Sequence, residues 1–196
     1  VRDAASDGAS VDDAIAADVL PLDRVRPERV SDLEAGLRVE RARVTLGLNA
    51  FAMWFRDEIA PIGAIAITGS PLRRNVARSQ RIGLELDGRW HAAPSLELTA
   101  NATVMRARIA EFTDETTAST YRDVRPLLTP AVLANLAVVW RPRVGEWTLA
   151  ARHVGRSQLA NDGNDALVTP AYRVVDLGVA LPIGRHALRV QVQNVT

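Results

Sequence analysis

Cysteine is absent, and the only histidines are His91, His153 and His186. Disulfides, thiolate metal sites and cysteine nucleophiles are thereby excluded. No apolar run approaches the ~18 residues of a membrane helix. That excludes a helical span but not a barrel strand, which needs only ~9–11 residues with one apolar face. Charge of one sign is also missing: Lys+Arg 24 against Asp+Glu 23 leaves +1. The basic residues are spread along the chain, which gives no electrostatic case for nucleic acid. HExxH, GxSxG, P-loop and dinucleotide signatures do not occur. Carboxylates are plentiful, but none pair as an acid/base couple. No catalytic residue, resident metal or cofactor is expected, and the chain does not read as an enzyme. It starts Val1-Arg2-Asp3-Ala4 without a signal peptide. The favoured expectation is an internal piece of a longer, exported chain.

What the chain does have is period two. Residues 1–30 are Ala/Asp-rich with two prolines and read as an irregular segment, with a short helical turn near Val11–Val19. From Ser31 the pattern alternates. In Arg81–Trp90, Ile82, Leu84, Leu86, Gly88 and Trp90 share one face, with Arg81, Gly83, Glu85, Asp87 and Arg89 on the other. In Leu96–Val104, Leu96, Leu98, Ala100, Ala102 and Val104 oppose Glu97, Thr99, Asn101 and Thr103. Arg173–Leu181 and Ala187–Val195 alternate likewise. Helical spacing would mix these sets, so strands are expected. Ser31–Arg41, Val44–Asp57, Val132–Arg141 and Trp147–Ser157 are weaker members, giving about eight strands. Val44–Asp57 is apolar on both faces, with Leu46, Leu48 and Trp54 against Phe51, Met53 and Phe55, which leaves its outward face open.

The connections alternate too. Arg41–Arg43, His91–Ser95, Pro142–Glu146 and Pro182–Arg185 are short. Glu58–Arg74, Thr113–Thr129 and Gln158–Thr169 are long. In an up-and-down meander this puts tight turns at one end and elaborated loops at the other, the asymmetry of an outer-membrane barrel. Hydrocarbon offers no hydrogen-bond partner, so a sheet within it must close on itself. Trp90, Trp140 and Trp147 all fall beside short turns, where indole suits a membrane interface. The reading is all-β: an antiparallel up-and-down transmembrane β-barrel, with 1–30 an extracellular irregular segment and 31–196 barrel strands. The long loops, and an end at Asn194-Val195-Thr196 without an aromatic-ended strand, point to part of a larger barrel. A different outer-membrane barrel, such as an adhesin or an autotransporter translocator, and a soluble β-sandwich binding module are the alternatives.

Several segments resemble TonB-dependent receptors. Pro27-Glu28 with Ser31-Asp32-Leu33-Glu34-Ala35-Gly36 is similar to the "PE…ExG" opening of a late barrel strand. Ala50 through Ile59 resembles "FxxxxxDxI", and Asn75 through Asp87 resembles "NxxxxxxxGxE". Val190-Gln191-Val192-Gln193-Asn194-Val195 resembles the "VxNL" element near the C-terminus. The resemblance covers Pro27–Thr196. It implies the C-terminal part of a barrel of about 22 strands in the bacterial outer membrane, with an N-terminal plug that engages TonB lying elsewhere. It also implies energy-coupled uptake of a scarce ligand, most often a ferric siderophore. Arg73, Arg74 and Arg78, with Tyr121 and Arg122 in the next long loop, are the candidate ligand contacts. Guanidinium pairs with carboxylate oxygens, and an aromatic ring covers a chelate. The stronger reading of the arginines around Arg73–Arg81 is that they pair with lumen acids such as Glu85 and Asp87, or with lipopolysaccharide phosphates. Asn161-Asp162-Gly163-Asn164-Asp165 offers oxygens to a cation, but a polar turn is the stronger reading.

Overall fold

A computed structural model of the chain describes residues 25–65, 71–114 and 117–196. The strands are β1 (Arg29–Arg41), β2 (Val44–Ile65), β3 (Pro71–Ala93), β4 (Leu96–Asp114), β5 (Ser119–Val124), β6 (Val132–Trp140), β7 (Glu146–Val154), β8 (Ser157–Gln158), β9 (Val168–Thr169), β10 (Tyr172–Ile183) and β11 (His186–Val192). Among the described residues there is no helix. The sheet runs β1-β2-β3-β4-β6-β7-β10-β11, so strands adjacent in the path are sequence neighbours but for short insertions. Every pairing is antiparallel. β5 folds back on the upper part of β4, and β8 and β9 form a separate small hairpin. The expected helical turn near Val11–Val19 lies outside the described residues.

The tight turns occur where the sequence places them: 42–43, 94–95, 141–145 and 184–185. Gly145 and Gly184 have φ of +86° and +60° there, a region that costs glycine nothing. The long connections differ from expectation. Much of Glu58–Arg74 is strand, because β2 runs to Ile65 and β3 starts at Pro71. Thr113–Thr129 contains the end of β4 and all of β5.

The reason lies at two aspartates. Asp57 and Asp123 have φ of +52° and +51°. The register runs Arg56↔Arg78 and then Glu58↔Val76, so the pair at 57 drops out of the ladder. It runs Ile109↔Val124 and then Glu111↔Arg122, so the pair at 123 drops out too. A single residue in this conformation changes which face the following side chains take. Phe55 pairs with Ser79, and the Ser79 hydroxyl donates to Glu58, so positions 55 and 58 share a face. Strict alternation would put them on opposite faces. The period-two signal is therefore scrambled just where the strands continue.

Register settles the faces. Leu37, Leu48, Leu86, Ala102 and Ala134 lie in one cross-strand row, and Val138, Leu149, Leu177 and Val192 in another, on the same side. On β2 that side carries Leu46, Leu48, Ala50, Ala52 and Trp54. Phe51, Met53 and Phe55 turn to the other. Gly83 makes room for Phe51, since a Cβ there would sit 2.6 Å from Cζ of the ring. Trp90, Trp140 and Trp147 stand on the apolar side at the short-turn end, 46–50% exposed, with Trp140 directly opposite Trp147. Large aliphatic side chains such as Leu33, Leu37, Leu84 and Val104 are exposed across this face. So broad an apolar surface marks an interaction with something apolar.

Candidate functional site

The opposite face is polar, and its groups are bonded across strands. Asn49 donates to Glu34 at 3.3 Å, Asn135 to Asn101 at 2.8 Å and Arg152 Nε to Asn135 at 3.2 Å. Asp176 accepts from the Asn194 amide at 2.8 Å. One face apolar and the other hydrogen-bonded and charged is the cross-section of a barrel wall between lipid and a wet lumen.

Toward the long connections the polar face gains a small core. Ala60, Val76, Ile109, Phe112 and Val124 are buried together, with Ile62 and Tyr121 packed against them. Beside this core Arg81 lies 4.4 Å above the Phe55 ring and pairs with Glu58 at 2.5 Å. Glu58 also accepts from Ser79, so one carboxylate holds two donors. Nη1 of Arg81 is buried without a partner among the described residues. Arg81 thus pairs with Glu58, not with Glu85 or Asp87. The 161–165 segment is a polar turn: Asp162 accepts from the Asn164 amide and Asn164 from the Ala166 amide, with Gly163 at φ +70°. Asn161, 1% exposed, accepts from the Leu127 amide at 2.7 Å and donates to the Pro61 carbonyl at 2.8 Å. It ties the 125–131 and 159–167 connections to β2 over the polar face. Beyond β5, Arg125 has its pKa lowered, first by burial and then by the charges of Arg108 and Arg156.

The sequence-predicted ligand residues do not converge. Arg74 pairs with Ala60 in register and shares the face of the small core, since directly opposed residues lie on one side of a sheet. Tyr121 packs on that core. Arg73, the neighbour of Arg74, is exposed. Arg122 is exposed and pairs with Glu111 at 3.3 Å. Arg78 lies opposite Arg56, on the apolar side of the wall. Two groupings were not legible in the chain: the Glu58–Ser79–Arg81–Phe55 set, and the cross-strand row of Arg29, Arg56 and Arg78. Among the described residues no three His, Asp or Glu side chains gather as a metal site. No helix there is long and apolar enough to cross a membrane, which says nothing of a barrel.

Comparison with known proteins decides the family. The family described as TonB dependent receptor-like, beta-barrel, matches residues 8–195. The chain belongs to this family. Among solved structures, the ferric yersiniabactin uptake receptor FyuA from Yersinia pestis is similar at 25% identity and TM-score 0.62, over 86% of this chain and 25% of its own. The ferric-catecholate import receptor Fiu from K12 E. coli gives 18% and 0.64, over 87% and 24%. The copper transporter OprC gives 15% and 0.63, over 88% and 26%. No curated protein matches. The chain spans about a quarter of the solved chains it resembles. The TonB-dependent receptor barrel is thus the fold of this wall, and the bacterial outer membrane is its place. Two sheets sealing a dry interior, the soluble alternative, are not what the described strands build.

Proposed function

We propose that this barrel wall serves a receptor, not an enzyme, that takes up a scarce ligand by energy coupling through TonB. A ferric siderophore is the ligand class we favour. The observation that carries the reading is the family match over residues 8–195, on a wall with one wet face and all its elaborated connections at one end. FyuA and Fiu are named for ferric chelates, which supports iron, whereas OprC is named for copper. The engagement of TonB is proposed for the plug, outside this stretch. Outer-leaflet lipid, lipopolysaccharide included, is the surrounding partner. The proposed ligand contacts are Arg73, Arg74, Tyr121 and Arg122; Arg78, on the lipid side of the wall, drops out of the set. Arg74 and Tyr121 are the pair nearest the small core on the wet face, so their loss should matter most.

The test uses the full-length receptor in an iron-starved host lacking its own siderophore receptors. Uptake of radiolabelled ferric catecholate, hydroxamate and phenolate chelates is measured with and without TonB. Uptake of at least one chelate that disappears without TonB is expected, with R74A/Y121A lowering it about tenfold, the loss of one or two charge-assisted contacts. Uptake of Cu(II) alone, or none, would overturn the siderophore reading.

A further inference from the structure

We propose that an arginine row on the lipid side of this wall, just above the apolar band, binds a lipid headgroup carrying at least two phosphates. The proposal deepens, and rests on, the reading that the apolar face meets outer-leaflet lipid. Arg29, Arg56 and Arg78 are directly opposed on β1, β2 and β3. On β4, Arg108 faces Gln80 and Arg106 faces Ile82, on the same side. Arg29, Arg56, Arg78 and Arg108 line one open groove with Ser31, Trp54 and Gln80. Directly below lies a second, apolar hollow lined by Leu33, Ala35, Ile82, Leu84 and Val104, with Arg106 at its rim.

Like charges facing each other across strands are destabilising, so such a row calls for a counter-charge. The protein supplies little. Among the described residues Asp123 is the one acid lining the groove, and it is shared by Arg106 at 3.7 Å and Arg108 at 3.4 Å. Arg29, Arg56 and Arg78 have no acidic partner among the described residues. Neighbouring strands lie about 4.8 Å apart, so these three guanidinium stems span roughly 10 Å across the sheet. One phosphate engages one or two such groups, and a span of this width takes more than one. Arginine suits the task because its planar fork grips phosphate oxygens in pairs. The sequence contains no lysine, so all 24 of its basic residues are arginine. Acyl chains attached to the headgroup would lie on the hollow below. A soluble polyphosphate would leave that hollow bare, which is why a lipid is the occupant.

The experiment uses the full-length receptor purified from outer membranes in mild detergent, with bound lipid counted by native mass spectrometry. Retention is then repeated in nanodiscs doped with bisphosphorylated lipid A, monophosphorylated lipid A or phosphatidylglycerol. The wild type is expected to retain the bisphosphorylated glycolipid. R29Q/R56Q/R78Q is expected to lose at least tenfold of that retention while keeping the heat-modifiable mobility of a folded barrel. R41Q/R43Q, at the short-turn end, is expected to retain it in full. Equal retention by the triple variant, or equal retention of phosphatidylglycerol by the wild type, would overturn the proposal. If the triple variant does not fold, R78Q and D123N decide, with retention falling in the first and rising in the second. No change in either also overturns it. Chelate uptake is measured in the same cells. Lipid loss with intact uptake supports this site alone, and lost uptake with intact lipid strikes only the uptake reading.

Discussion

The two halves of this wall bury their grease on opposite sides. Toward the short turns, the apolar side chains of β1–β4, β6, β7, β10 and β11 point to the outer face and remain exposed. Toward the long connections, the buried residues Ala60, Val76, Ile109, Phe112 and Val124 lie on the polar face, under the loops. The first half takes its apolar solvent from the membrane. The second makes its own, as a soluble protein does. The dividing line runs through Asp57 and Asp123, the two strand positions where a left-handed residue resets the alternation.

This contrast can be broken with single substitutions. The largest effect is expected at Ile109, which has no exposed surface. Ile109→Ala should cost about 2–5 kcal/mol from lost burial and an unfilled cavity. Because its surroundings are protein, the loss should appear equally in detergent and in bilayers, measured by urea unfolding of the full-length receptor. Leu84→Arg comes next. It places a charge amid the apolar band and should cost about 2–4 kcal/mol in a bilayer. Thr103→Arg, one residue along β4 from Leu84's partner Val104, projects into the polar face. It should cost well under about 1 kcal/mol, as surface changes do. Equal costs for these two would mean the faces are misassigned. An effect smaller than that of Leu84→Arg sharpens the dividing line itself. Asp57→Val should destabilise by about 1–2 kcal/mol, because a β-branched residue resists positive φ, whereas Asp57→Gly should be near neutral.

The first half was legible in the chain because lipid imposes period two on the sequence. Ile82, Leu84 and Leu86 announce the outward face of β3, and the Trp90, Trp140 and Trp147 girdle follows from turn positions alone. The double-faced stretch Val44–Asp57 was ambiguous. Only register with Gly83 and Ser79 shows that Phe51 and Phe55 face inward, Phe55 as a platform for Arg81. The second half was read as loop because a single αL aspartate shifts the phase, and aspartate in a sequence carries no mark of its φ. For the arginines around Arg81 the sequence offered lumen acids such as Glu85 and Asp87, or lipopolysaccharide phosphates, and Arg81 pairs with a different lumen-side acid, Glu58, 23 positions away. Arg29, Arg56 and Arg78 are far apart in sequence, so pairing was needed to bring them into one row. Asn161 read as a member of a polar turn, and its anchor on Pro61, 100 positions distant, is a tertiary fact.

This stretch contains no cysteine, and with any cysteine elsewhere in the receptor replaced by serine one measurement becomes especially direct. Single cysteines placed in turn at positions 82 to 87 of the full-length receptor, spin-labelled in bilayers, report collisions with a lipid-soluble and a water-soluble quencher. The account predicts strict alternation. Labels at 82, 84 and 86 should meet oxygen in the hydrocarbon, and labels at 83, 85 and 87 should meet the aqueous nickel complex. Uniform access to water at all six positions would contradict the claim that this sheet divides lipid from lumen.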